Sequence, residues 1–208
     1  MTQQSLTNMQ TAIVTIQGIS EYSGNKYVTS PRKPGEQADD WEQRTCRERM
    51  HVNPRGMVVI PGSGIMFCLQ TAAKKMGVKI KGGNGATYGT KFLTALMVPS
   101  NLELGIHVSD VPLQAFHVPA DGKKGGHIRV LKYFGMIAEW GGTIPIYILD
   151  PIINLDMFTA VARYGGMFVG LGRFRPERGG TNGRFSVTKI VWRDEEETLR
   201  DQTMVSTA

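Results

Sequence analysis

A run of glycine and arginine near the carboxyl end is the part of this sequence best suited to bind a charged polymer. Residues 170–185 contain four arginines, five glycines and one acid, Glu177. Glycines allow backbone N–H groups to converge on a phosphate oxygen, and arginines add forked donors that match phosphate geometry. The candidate binding residues here are Arg173, Arg175, Arg178, Arg184, Gly172, Gly179, Gly180 and Phe174. We predict that the arginines contact a sugar-phosphate chain and that a glycine nest forms around Gly179 and Gly180.

The same run also allows a simpler interpretation as a hairpin. Asn182 and Gly183 form a common tight-turn pair, and Phe174 and Phe185 could both enter the core. Stacking on an unpaired base, however, would require an aromatic ring placed between cationic side chains, which is where Phe174 lies. We therefore expect the arginines to bind while at least Phe185 packs. The run is not a Walker loop, because no Gly-Lys-Ser/Thr sequence follows it.

Two other basic segments could extend the same surface. Five lysines and no acid occur from Lys74 to Lys91, which predicts either an electrostatic arm or a solvated, mobile loop. A second patch lies at residues 123–132, next to Tyr133 and Phe134. The candidate binding residues in the two segments are Lys79, Lys81, Lys91, Lys123, Lys124 and Arg129.

The overall charge agrees with a polyanionic partner. The 208 residues carry a net charge of +6, and residues 193–201 carry −3, which leaves +9 on the remainder. A basic body with an acidic tail is typical of nucleic-acid binding, although many basic proteins bind none. The sequence contains no apolar stretch of about 20 residues, so no membrane partner is expected. Cys46 and Cys68 are far apart, which indicates free thiols in a reducing compartment such as the cytoplasm.

The pattern of apolar residues predicts an α+β domain over residues 11–193, with disordered ends at 1–10 and 194–208. Strands are predicted at 11–18, 57–60, 92–98, 129–137, 143–149 and 185–192. Helices are predicted at 64–76, capped by Ser63 and ended by Gly77, and after Asn154, ended by Gly165 and Gly166. Residues 19–56 form an insertion with a short helix within 39–50, and residues 107–128 are irregular. The order is close to βαββαβ, which is the ferredoxin-like arrangement with two helices on one face of an antiparallel sheet.

The order of these elements, together with motifs at both ends, resembles the RAMP superfamily. The motifs are Ile16-Gln17-Gly18, Ile60-Pro61, the helix with Ala72-Ala73-Lys74-Lys75, Gly170-Leu-Gly-Arg-Phe-Arg-Pro176, Gly179-Gly180 and Gly183-Arg-Phe185. Within that superfamily the chain is most similar to the backbone subunits that coat guide RNA in CRISPR effector complexes, or to phage-borne relatives of them. The resemblance implies a modified RNA-recognition fold, a late glycine-rich loop near the nucleic acid and head-to-tail assembly along a strand. Because the chain is short, the thumb and accessory domains of the larger subunits must be reduced.

The resulting hypothesis is a protein that binds single-stranded RNA or DNA and forms a homo-oligomer or filament along it. It needs no cofactor and no metal, because none of the four histidines has a partner at ligand spacing. One alternative is a metal-independent endoribonuclease that uses His51 or His117. Another is a structural or inhibitory protein that binds a nucleoprotein complex through the insertion. In that insertion, Arg44, Arg47 and Arg49 alternate with Glu42 and Glu48, which predicts a surface ion-pair face.

Overall fold

The computed structural model describes residues 9–120 and 129–193, so most of both predicted tails lies outside it. Its strands are β1 (Gln10–Gly18), β2 (His51–Val52), β3 (Met57–Ile60), β4 (Leu96–Met97), β5 (Leu102–His107), β6 (Leu113–Pro119), β7 (Arg129–Gly135), β8 (Gly141–Ile148) and β9 (Phe185–Arg193). Its α-helices are α1 (Ala38–Thr45), α2 (Gly62–Met76), α3 (Tyr88–Thr94) and α4 (Leu155–Tyr164). Within these ranges, none of the helices has the length and apolar character needed to span a bilayer.

The central sheet is antiparallel and has the strand order β4-β8-β1-β9. Helix α2 connects β1 to β4 by way of the insertion, and α4 connects β8 to β9. This is the βαββαβ arrangement of a ferredoxin-like domain, so the predicted α+β fold is confirmed. One face of β1, formed by Ala12, Val14 and Ile16, is buried against the helices. The strand therefore alternates between core and surface, as the sequence pattern indicated.

Helix α2 is the helix that the apolar pattern defines best. Ile65, Cys68 and Leu69 are buried on one side, as predicted, and Gly77 ends the helix in the left-handed conformation with φ 62°. The start is different, because the helix begins at Gly62 and Ser63 does not cap it. The Gly62 amide instead donates to Oδ1 of Asn101 at 3.1 Å. A cap supplied from 39 residues away is invisible to local sequence rules.

Helix α4 begins as predicted, and its α-helical turns end at Tyr164 with Gly165 as the C-cap, also as predicted, although the chain goes on coiling. The Asn154 side chain accepts a hydrogen bond from the Met157 amide at 2.9 Å, which confirms it as the N-cap. Gly165 and Gly166 do not stop the chain from coiling, because residues Gly165–Val169 continue as a π-helical turn. Both glycines are buried, and Gly166 lies against Phe185. They mark the change from α-helical to π-helical geometry and permit close packing.

Two ion pairs within the insertion connect its own segments. It contains α1, a 3-10 turn at Cys46–Arg49 and β2, so the helical prediction for residues 39–50 is confirmed. Arg44 pairs with Glu36 at 2.7 Å, and its hydrogen bond lowers the pKa of Glu36 to about 2. The other pair, Arg49 and Glu42 at 2.8 Å, is almost fully buried. The prediction of a surface ion-pair face is therefore wrong for Arg49 and Glu42.

The strands differ from the sequence-based expectation in three segments. Residues 107–128 are not irregular throughout, since β6 pairs with β7 from Leu113 opposite Gly135 to Pro119 opposite Arg129. The two prolines that suggested loops, Pro112 and Pro119, lie next to and at the end of β6. Residues 92–98 are not one strand, because Phe92 to Thr94 belong to α3, which places Phe92 in the core beside Phe158, and only Leu96–Met97 form a strand. Residues 57–60 are a strand, but they belong to a separate sheet of order β2-β3-β5.

Candidate nucleic-acid interface

The glycine- and arginine-rich run, residues 170–184, forms a compact loop that we call the glycine loop. It lies against the first residues of the insertion: the Arg173 amide donates to the Ser23 carbonyl and the Gly183 amide to the Glu21 carbonyl, each at 2.8 Å. Gly172 has φ +74°, and a Cβ there would collide with the Ser23 carbonyl oxygen and the Tyr22 ring. Only glycine fits that position without strain. The loop is thus a packed element with fixed side-chain directions.

The predicted nest of amides around Gly179 and Gly180 is wrong. The Gly179 amide donates to the Pro176 carbonyl at 2.9 Å, and the Gly180 amide donates to the Arg175 carbonyl at 3.1 Å. Both donors are therefore used inside the loop and cannot converge on a phosphate. A Cβ on Gly180 would collide with the Phe174 carbonyl oxygen. The glycines serve close backbone packing, which then determines where the neighbouring side chains point.

A cleft of about 590 Å³ opens where the glycine loop meets the end of β3 and the first turn of α2. We call it the α2 cleft. Its polar side chains come from the insertion, α2, the segment before β5 and the glycine loop: Asn25, His51, Ser63, Asn101 and Arg175. The amino-terminal end of α2 is the positive end of the helix dipole. The cleft therefore combines a helix end and a guanidinium group, both of which favour an anionic ligand.

Arg175 is held on the α2 cleft side of the loop. Its Nη1 donates to the Gly172 carbonyl at 3.1 Å, and its guanidinium lies 5.5 Å from the centre of the Phe67 ring. Its Nη2 is 2.9 Å from Glu177, and its side chain is 17% exposed. A ligand in the cleft would meet a guanidinium that is already oriented, but it would share that group with Glu177.

His51 also lines the α2 cleft, which separates it from the other nuclease candidate. Burial, and then the charge of Lys26, lower the pKa of His51. Its imidazole is consequently neutral at pH 7 and could accept a proton. His117 lies instead on the exposed part of β6. Among the described residues there is no group of three or more His, Cys, Asp or Glu side chains that could hold a metal ion.

Three phenylalanines form a cluster on the other side of the glycine loop, which we call the aromatic shelf. Phe134 of β7 is buried, and its ring centre lies 5.1 Å from that of Phe174 and 5.9 Å from that of Phe116 of β6. Phe116 and Phe174 are each 37% exposed, and their ring centres are 6.3 Å apart. The shelf thus presents two partly exposed rings on a buried base. Exposed aromatic faces of this kind are the surfaces on which unpaired bases stack.

Arg173 lies at the edge of the aromatic shelf. Its Cζ atom is 5.2 Å from the Phe134 ring centre and 6.0 Å from the Phe174 ring centre. Its Nε donates to the Gly24 carbonyl at 3.2 Å. Burial is the main cause that lowers the pKa of Arg173, followed by the charge of Arg49. Arg173 and Arg175 therefore point to different sites, the first to the shelf and the second to the cleft.

The remaining predicted residues of the glycine loop have weaker links to these two sites. Arg178 is exposed, with its Nε 3.3 Å from Glu177. Arg184 uses Nε to bind the Met167 carbonyl and Nη1 to bind the Thr181 carbonyl, both at 3.1 Å. Phe185 is buried against Trp140, as predicted. The loop is not a simple hairpin, because β9 pairs with β1 and not with the residues before the loop.

The predicted lysines are dispersed. Lys79 and Lys81 are exposed beyond the far end of α2, whose 15 residues span about 22 Å from the cleft. Lys91 does not belong to a mobile loop, because it lies in α3 and pairs with Asp150 at 2.8 Å. Arg129 is exposed on β7, and Lys123 and Lys124 lie outside the described residues. Among the described residues, the structure therefore brings together those of the glycine loop but not Lys79, Lys81 and Lys91.

Sequence reasoning did not identify Phe116, Phe67, Asn25 or Asn101 as site residues. Each belongs to a different segment from the glycine loop, and contact between segments depends on the tertiary fold. Phe116 lies in β6, within residues 107–128, which the sequence predicted to be irregular. The wrong prediction of an irregular segment at 107–128 concealed it.

Comparisons with known proteins find similarity only in structure. No family model matches the sequence, and no curated protein matches it. A chain from the cryo-EM structure of the Type III-B Cmr-beta bound to cognate target RNA has a TM-score of 0.54 and 13% identity, and the match covers 90% of this chain and 61% of that chain. For Cmr6 from Pyrococcus furiosus the TM-score is 0.44 and the identity 10%, over 86% of this chain and 98% of that chain.

The likeness to the Cmr-beta chain shows a shared fold. It agrees with the α+β architecture that the order of elements predicted. This chain spans 61% of the length of that Cmr-beta chain.

Proposed function

We propose that the protein binds single-stranded nucleic acid, with the sugar-phosphate backbone in the α2 cleft and bases on the aromatic shelf. One observation supports this most directly: neighbouring residues of the glycine loop belong to both sites. Gly172 and Arg175 line the cleft, whereas Arg173 and Phe174 belong to the shelf. A strand that crosses the loop would therefore meet cationic donors and aromatic rings within a few nucleotides.

The α2 cleft suits the backbone of the strand. A helix amino terminus favours phosphate, and Arg175 adds a planar donor next to it. Asn25, Ser63 and Asn101 add neutral hydrogen-bonding groups to the cleft. Because they carry no charge, they do not compete with a phosphate for Arg175. Such groups can also contact sugar hydroxyls, which are what distinguish RNA from DNA.

Salt dependence is the test of this binding mode. A fluorescein-labelled oligouridine and a matched oligothymidine, each of about 12 nucleotides, are titrated with protein by fluorescence anisotropy. If about five phosphates are neutralised, the logarithm of the association constant falls with the logarithm of salt concentration with a slope of about −3.5. A slope near zero, or no binding at low salt, would contradict the proposal.

We also propose that several copies assemble along one strand, as the resemblance found in the sequence implies. Mass photometry of the protein with oligonucleotides of increasing length tests it. We expect the number of bound copies to rise stepwise with length. A single copy on every length would exclude assembly, but it would leave binding intact.

A second candidate function is metal-independent RNA cleavage by His51. It is favoured because His51 lies in the same cleft and its lowered pKa leaves the imidazole able to act as a base. Incubation of labelled oligouridine with protein in EDTA would then give products, and His51→Ala would abolish them. Intact RNA after incubation with wild-type protein that binds it would exclude this function.

A further inference from the structure

A second arginine shares the aromatic ring against which Arg173 lies. Arg49 comes from the 3-10 turn of the insertion, and its Cζ atom is 5.5 Å from the centre of the Phe134 ring. The Cζ atom of Arg173 is 5.2 Å from the same centre. Two guanidinium groups from distant parts of the sequence thus converge on the buried base of the aromatic shelf.

The charges in this cluster do not balance. Glu42 is the carboxylate that acts on both arginines: it lies 2.8 Å from Nη2 of Arg49, and its charge favours the charged form of Arg173. Burial, and then Arg49, act in the opposite direction and lower the pKa of Arg173. Among the residues that the structure describes, two cations with one anion leave an excess positive charge that is partly removed from water. Such an excess is costly unless another anion approaches it.

Unused hydrogen-bond donors indicate the same requirement. Arg49 is only 8% exposed, and its Nη1 finds no hydrogen-bond partner among the described residues. In that same part of the chain, the Arg173 side chain donates only through Nε, to Gly24. Buried donors are rarely left unpaired in native proteins, and an ion or ligand is one of the usual reasons.

We propose that Arg173 and Arg49 form one phosphate subsite at the edge of the aromatic shelf, in which Arg173 contacts the phosphate and the buried Arg49 supplies the excess charge. This inference rests on the proposed function and deepens it, because the phosphate is the diester next to a base stacked on Phe116 and Phe174. Arg49 acts through Arg173 and is a positioning residue. Glu42 weakens the subsite, since its carboxylate competes with the phosphate for the same cations.

Because Glu42 competes with the phosphate, its removal should strengthen binding rather than weaken it. Glu42→Gln removes the carboxylate that competes with the phosphate, so it should tighten binding of oligouridine about threefold or more at 150 mM salt. Neighbouring unit charges in a partly buried site interact strongly enough for such a change. A purely structural ion pair predicts the opposite, because its loss would loosen the shelf. Adding Arg49→Met to Glu42→Gln should then abolish the gain. That double variant leaves no unpaired buried charge, so it remains a fair comparison.

A matched control changes the same charge elsewhere in the insertion. Glu36→Gln also removes one carboxylate that pairs with an arginine, but Glu36 is not among the groups that act on Arg173. Its affinity should stay within about twofold of wild type, because long-range effects on exposed sites are screened by salt. Thermal unfolding without nucleic acid checks that each variant is folded.

A measurement on the unmodified protein provides a second test. In NMR spectra of the arginine Nε–Hε groups, added oligouridine should shift the signals of Arg173 and Arg49 but not that of Arg44. Inorganic phosphate at the same concentration should give smaller shifts of the same signals, which separates a diester subsite from a general anion site. Equal or weaker binding by a folded Glu42→Gln variant, or unshifted Arg173 and Arg49 signals while wild type binds, would overturn the subsite alone. Absence of wild-type binding would overturn the proposed function as well.

Discussion

Backbone strain at a single residue distinguishes the aromatic shelf from an ordinary hydrophobic cluster. Phe174 has φ +57°, a conformation that a bulky side chain rarely adopts. The Arg173 amide donates to the Ser23 carbonyl, and the Phe174 carbonyl accepts from the Asn182 amide, so the backbone is held in place. As a result the ring remains 37% exposed beside Phe116 instead of turning into the core. Strain that is maintained by its surroundings is commonly associated with a binding surface.

At the residue scale, Phe116→Ala is the clearest test of the shelf. Phe116 lies on a two-stranded hairpin away from the central sheet, so its loss should affect folding little. Loss of one stacked base is expected to weaken oligouridine binding by about 1–3 kcal/mol, measured by anisotropy. Phe168→Ala is the matched control, because Phe168 is 59% exposed and belongs to no part of the shelf. Equal affinities for the two variants would remove the shelf from the interface.

At the scale of the element, the glycine loop works through its attachment to the insertion. An added Cβ at Gly172 would collide with the insertion. Gly82 has a similar φ of +76°, but it has open space around it. Gly82→Ala should cost about 1 kcal/mol of stability from backbone strain alone. Gly172→Ala adds a collision with Ser23 and Tyr22, so its free energy of unfolding should fall by roughly 2–4 kcal/mol. Urea denaturation of both variants measures the difference.

Equal destabilisation by the two alanine variants would mean that the loop is not packed against the insertion as described. In that case Arg173 and Arg175 would lose their separate directions. Nucleic-acid binding by Gly172→Ala at a temperature where it is folded then becomes informative, because a displaced loop should weaken binding even when stability suffices.

The elements that the sequence predicted well are those determined by local periodicity. Helix α2, the cap at Asn154 and strand β1 each depend on residues within a few positions of one another. The shelf could not be predicted, because Phe116, Phe134 and Phe174 come from three separate segments. The partner of Lys91 was equally hidden, since Asp150 lies 59 residues further along the chain. Composition indicated which residue types would bind, but tertiary contacts decide which of them remain available.

At the scale of the whole molecule, the carboxyl-terminal tail is acidic and the rest of the chain is basic. Residues 194–208 carry a charge of −4 in sequence, and the rest of the chain carries +10. Such a difference reduces long-range attraction to any polyanion while leaving close contacts unchanged. The tail should therefore limit non-specific binding more than binding through the cleft and the shelf.

Removal of residues 194–208 raises the net charge from +6 to +10. At about 50 mM salt, the truncated protein should bind oligouridine several-fold more tightly than the full chain, and the gain should disappear near physiological salt, where the screening length is about 8 Å. A full-length variant with amides in place of Asp194, Glu195, Glu196, Glu197 and Asp201 separates charge from length and should match the truncation. If both variants bind oligouridine as wild type does at low salt, the charge of the tail does not affect binding.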